Sequence, residues 1–121
     1  STLSQNDTAK GVILGTVNYM SPEQAKGERI DERTDIFSLG TVIYEMIAGR
    51  TPFEGNSMSE TLANLIKSEP ETLSEIAGNI PEKLNGIVSR MLMKNADERY
   101  QTMKDVLTDL KAIPCLLYTS D

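Results

Sequence analysis

The residues best able to do chemistry in this chain are a few hydroxyls and charges set in short, turn-rich stretches. Thr16 and Tyr19 lie between Gly15 and Ser21-Pro22-Glu23. Asp35 opens a long apolar run, Glu45 sits inside that run, and Arg99 follows Asp97-Glu98. Taken singly they have plain readings: a loop threonine, solvated surface charges, and an acid favoured by the positive end of a helix dipole. What the residue types exclude is firmer. There is no histidine, which removes Ser-His-Asp catalysis and zinc sites of the usual Cys/His kind, and no metal site is expected. The single Cys115 has no partner for an internal disulfide, in keeping with a reducing cytoplasm. A net charge of −6, with the basic residues scattered singly, does not suit a nucleic-acid backbone or an anionic membrane surface as partner.

These residues need elements to hold them. A length of 121 residues suits one domain or a piece of one, and 39% hydrophobic with 25% charged residues lies in the globular range. No run approaches the length of a membrane span, and Ser1 to Lys10 is polar rather than signal-like. The first fifteen residues read as a polar loop that ends in an anchored Val12-Ile13-Leu14. Ser21-Pro22-Glu23-Gln24 reads as a helix start: a capping serine, a proline where its missing N–H costs nothing, and an acid at the first turn. Gly27 is expected to end that helix.

A second helix is expected from Thr34 to Ala48 with Gly49 as its stop, and its apolar residues run nearly all the way round. Ser57 with Glu60 reads as a capping box opening a third helix. A polar loop through Glu69, Pro70 and Gly78 follows. Pro81 opens a fourth helix with Leu84, Ile87, Val88, Met91 and Leu92 on one face, Asn95 to Tyr100 is a charged loop, and Thr102 with Asp105 caps a last helix. With no sustained strand alternation, the fold class is all-α, with about five helices behind a leading loop. The final residues, 114–121, break the pattern abruptly. Their Cys-Leu-Leu-Tyr-Thr-Ser-Asp resembles a translated sequencing adapter, so they are read as a non-native tail and excluded from fold reasoning.

Gly15-Thr16-Val17-Asn18-Tyr19-Met20-Ser21-Pro22-Glu23 resembles the end of the activation segment of eukaryotic-like protein kinases. In the family's order there follow Asp35-Ile36-Phe37-Ser38-Leu39-Gly40, then Glu45-Met46, then Gly49-x-x-Pro52-Phe53, and last Asp97-Glu98-Arg99-Tyr100. The wording resembles the bacterial serine/threonine branch. The resemblance covers residues 1–113 and implies the helical part of the large lobe, from the activation segment onward.

The resemblance assigns roles that no single residue carries by itself. Gly15, Thr16 and Tyr19 would form part of a shelf for the substrate's hydroxyl-bearing residue, with Thr16 near the catalytic aspartate and lysine. Glu45 would meet basic residues upstream of the phosphorylated position. Glu23 and Arg99 would form an ion pair tying the activation segment to the loop before the last helix, and Asp35 would accept backbone N–H groups from the catalytic loop. Thr8 is the first candidate for phosphorylation, with Thr2, Ser1 and Ser4 behind it. An added phosphate would order the loop by pairing with an arginine of the catalytic loop.

Phosphoryl transfer in this family also needs a Gly-rich loop, a strand-borne lysine, a catalytic Asp with its Asn, and an Asp-Phe-Gly aspartate for Mg²⁺. Gly-x-Gly-x-x-Gly, His-Arg-Asp and Asp-Phe-Gly do not occur here. ATP and Mg²⁺ are therefore expected to bind the full-length kinase and not this part of it, whose own partners would be protein substrates, the N-lobe and the catalytic loop. Without that N-lobe and the helix before the catalytic loop, one flank of the second helix should lie uncovered. A different reading is a pseudokinase remnant or helical binding scaffold, which the sequence upstream would distinguish. A helix-turn-helix regulator would need a basic recognition helix, and none is visible.

Overall fold

A computed structural model describes residues 16–114. The described residues are helical, without strands. In chain order they form α1 (Pro22–Ala25), α2 (Glu32–Ala48), α3 (Met58–Lys67), α4 (Leu73–Ile76), α5 (Glu82–Met91), a single 3-10 turn (Ala96–Glu98) and α6 (Met103–Lys111).

The helix boundaries follow from caps. Ser21 accepts from the Gln24 N–H while the Gln24 side chain accepts from the Ser21 N–H, so α1 opens on a full capping box. Gly27 stands just past it at φ 69° and Gly49 ends α2 at φ 80°, the left-handed region in which an L side chain is strained. α2 begins two residues earlier than the pattern predicts. The carboxylate of Asp31 accepts from the Arg33 N–H and is the cap, which leaves Asp35 in the first turn rather than at the helix entrance.

Ser57 caps α3 by accepting from the Glu60 N–H, which is one half of the box expected there. The stretch read as a polar loop holds α4, built on a complete Thr72–Glu75 box. Within the charged loop, Asn95 accepts from the Asp97 N–H and closes the 3-10 turn. Thr102 caps α6 through the Asp105 N–H.

α2 is the pillar. One side carries Phe37 and Tyr44 into a cluster with Phe53, Leu65, Leu73, Val88 and Leu92, where the Phe37 and Phe53 rings stack with centroids 6.0 Å apart. The other side carries Ile36 against Ile87, Met91, Tyr100 and Val106. α4, α5 and α6 all pack on α2, and α1 rests on α3. Gly40 permits a close approach of α2 to α5: a Cβ there would lie 2.8 Å from that of Met91. The pillar is not covered all the way round. Val42 is 39% exposed and Met46, one turn on, 79% exposed.

Candidate functional site

Glu23 leaves α1 and Arg99 leaves the 3-10 turn, 76 positions apart, and they meet as a two-pronged ion pair with both N–O distances at 2.6 Å. Every donor of the guanidinium is used. Nε donates to the carbonyl of Met93, Nη1 to Glu23 and the carbonyl of Arg33, and Nη2 to Glu23 and the carbonyl of Lys94. Five N–H bonds meet five acceptors, which is how a residue only 1% exposed keeps its charge. The face of Phe37 lies 4.9 Å from the guanidinium carbon.

On the acid side, the Thr34 hydroxyl donates to Glu23 at 2.7 Å and itself meets Ser21. Burial pushes the Glu23 carboxyl upward, but the hydrogen bonds from Arg99 and Thr34 outweigh it and hold it at about 2. The result is a charged rivet joining α1, the start of α2 and the 3-10 turn. A second, exposed knot lies beside it, where Arg33 bridges Asp31 and Asp97 and also donates to Gln101.

The segment ahead of α1 is fastened at two points. The Tyr19 hydroxyl donates to Glu45 on α2 at 2.5 Å, and the Ser38 hydroxyl donates to the Tyr19 carbonyl at 2.7 Å. The hydrogen bond to Glu45, then burial, then the charges of Glu45 and Glu54, push the Tyr19 phenol above its usual range. Tyr19 therefore stays protonated as the donor. Glu45 remains half-buried beneath it, and Glu54 adds a second negative charge nearby. Thr16 is exposed at the head of this segment, where its carbonyl accepts from the Tyr19 N–H.

The residues singled out from sequence, Thr16 aside, thus fall into three groups. Glu23 with Arg99, and Tyr19 with Glu45, are brought together. Asp35 stands apart, exposed on α2, and its carboxylate forms no hydrogen bond among the described residues. Gly15 and Thr8 lie outside the described residues. Sequence reasoning missed Thr34 and Ser38, whose hydroxyls hold Glu23 and Tyr19 in place. Both are polar positions on a mainly apolar helix, and a buried hydroxyl needs a partner. The need for a partner is legible in the sequence, but the partner itself is not.

The protein kinase domain family matches residues 1–110 of this sequence. The chain belongs to that family. Its relatives include the serine/threonine-protein kinase PknB of Mycolicibacterium smegmatis, 38% identical over 103 residues, a match spanning 85% of this chain and 16% of that protein. Another is the "Probable serine/threonine-protein kinase CPE1738" of Clostridium perfringens, 41% identical over 101 residues, spanning 84% of this chain and 15% of that one. Among solved structures, the kinase region of twitchin from C. elegans superimposes with a TM-score of 0.75 at 26% identity, over 84% of this chain and 18% of that one. The chain therefore spans about a sixth of the length of the curated kinases it matches. Among the described residues no helix is long and apolar enough to cross a membrane.

Proposed function

We propose that this chain forms the substrate-side part of the large lobe of a longer, cytoplasmic serine/threonine protein kinase, which moves the γ-phosphate of ATP to serine or threonine of a protein. One observation carries this reading: the buried Glu23–Arg99 pair, which rivets the 16–25 segment to the helical platform. A surface that must hold a substrate hydroxyl in line for transfer has to be rigid, because this chemistry depends on positioning. On this reading residues 1–113 are kinase-derived and residues 114–121 are not part of the domain.

Gly15, Thr16 and Tyr19 would form the shelf, with Tyr19 set in place by Glu45 and Ser38. Glu45 and Glu54 would give that end of the shelf a negative field suited to a basic side chain of the substrate. Asp35, with its carboxylate exposed at the start of α2, would take up backbone N–H groups of the catalytic loop. Phosphate on Thr8 would order the leading loop against an arginine of that loop. ATP and Mg²⁺ would be held by segments this sequence does not contain.

The test is transfer of labelled phosphate from ATP to a threonine peptide by the longer protein that carries this sequence. Transfer is expected, and Glu45→Gln should raise KM for a peptide with arginine ahead of the acceptor more than for a neutral one. The 121-residue chain alone should give no transfer. Absence of transfer by the longer protein would leave the scaffold reading in its place.

A further inference from the structure

Lys94 lies between α5 and the 3-10 turn, and none of the roles above uses its side chain. The Nζ donates to the carbonyl of Leu65 at 2.7 Å and to that of Asn64 at 3.3 Å. Leu65 is in the last turn of α3, where carbonyls lack helical partners. The same Nζ sits 4.1 Å from the centroid of the Phe53 ring. Phe53 is itself tied to α3, because the Asn64 side chain donates to its carbonyl at 3.2 Å.

The backbone that carries this side chain also seats Arg99. The guanidinium Nε donates to the carbonyl of Met93 at 2.7 Å, and Nη2 to the carbonyl of Lys94 at 3.2 Å. Two of the acceptors that orient Arg99 therefore stand on consecutive residues of a connection. The Met93 side chain is 37% exposed and belongs to neither core cluster. Asn95 is exposed, and its side chain is spent on closing the 3-10 turn. Neither neighbour pins the connection; the Lys94 side chain does. A second route joins the same groups: the ammonium lies on Phe53, Phe53 stacks on Phe37, and Phe37 faces the guanidinium carbon.

We propose that Lys94 is a positioning residue for phosphoryl transfer, holding the 93–94 backbone to α3 so that Arg99 meets Glu23 in register and the shelf stays set. The inference rests on the kinase reading above. Lys94 touches no part of the 16–25 segment; it acts through Arg99 and Glu23. Without its ammonium, the Met93 and Lys94 carbonyls are free to drift, and the guanidinium turns with them. In-line transfer tolerates little misplacement of the acceptor hydroxyl, so looseness at the rivet reaches the reaction.

The test uses the longer protein that carries this sequence, with Lys94→Met and Lys94→Arg. NMR first follows exchange of the Arg99 Nε–H with water. Lys94→Met should speed it on the order of tenfold and leave the Tyr44 amide, in the middle of α2, as protected as before. A role in overall stability alone would speed both. Lys94→Arg can still donate to both carbonyls and lie on Phe53, and should restore slow exchange. Secondly, kcat/KM for a threonine peptide should fall on the order of tenfold in Lys94→Met and recover in Lys94→Arg. Unaltered exchange at Arg99, or equal acceleration at Tyr44, overturns the positioning. Faster exchange with unaltered transfer overturns its bearing on the reaction. If the natural protein transfers no phosphate, the kinase reading fails instead, and exchange at Arg99 decides the positioning alone. Lys94→Gln, an uncharged donor, gives the same readings if Lys94→Met does not fold.

Discussion

At the scale of single residues, one buried charge pair is where a single substitution should cost most. A buried pair is not worth much against a well-packed apolar substitute, but removing one partner strands the other charge away from water. Arg99→Ala should therefore cost about 3–5 kcal/mol in urea unfolding. Arg99→Lys should recover little, because one ammonium cannot serve five acceptors spread over a planar fork. The same pair sets a pH signature. Unfolding returns Glu23 from about 2 to its ordinary value of 4.5, so within that window the unfolded chain binds more protons. Its contribution is complete above 4.5 and drains away as pH falls towards 2. Glu23→Gln should remove this part of the acid slope, and an unchanged slope in acid unfolding would show that other carboxylates carry it. Both partners were legible from the ordered motifs. Thr34 and Ser38 were not, because a hydroxyl on an apolar helix shows its partner only once the chain is folded.

At the scale of elements, the caps were more legible than the packing. Ser21, Ser57 and Thr102 each accept the N–H three residues on, as their spacing implies. Asp31 is not legible as a cap because the apolar run begins after it, and α4 is not because a single turn carries no periodicity even where Thr72 and Glu75 spell out a full box. The two helical glycines show why packing resists sequence reading. Both Gly40 in α2 and Gly86 in α5 should, on propensity alone, gain up to about 1 kcal/mol on change to alanine. At Gly86 a Cβ would meet nothing within 4 Å, so Gly86→Ala should gain about 0.5–1 kcal/mol. At Gly40 it would lie 2.8 Å from Met91 Cβ and 3.2 Å from the end of Leu92, so α2 and α5 must part. Gly40→Ala should lose about 1–3 kcal/mol despite the better propensity. Opposite signs for the two variants in thermal unfolding are the expected result, and a stabilised Gly40→Ala would show that the two helices can slide apart at little cost.

At the scale of the whole molecule, the distribution of apolar surface is the feature to account for. A pillar helix that is apolar nearly all round has its two sides filled by the Phe37 and Ile36 clusters, yet Val42 and Met46 stand one turn apart on a third side, facing solvent. That third side is where, on the function proposed above, the remainder of the large lobe would pack. A Met exposed to 79% has few partners to lose, so Met46→Gln should alter unfolding stability by no more than about 0.5 kcal/mol. The same change removes the more exposed of the two apolar side chains on this flank, and exposed apolar surface favours self-association. Sedimentation of the natural chain should thus show concentration-dependent association that Met46→Gln reduces, with binding of a hydrophobic dye falling in parallel. The contrast between the two measurements is the informative part: stability nearly unchanged while association drops places the liability on the surface. A large loss of stability on Met46→Gln would instead mean that Met46 is packed in solution and that the flank is already covered.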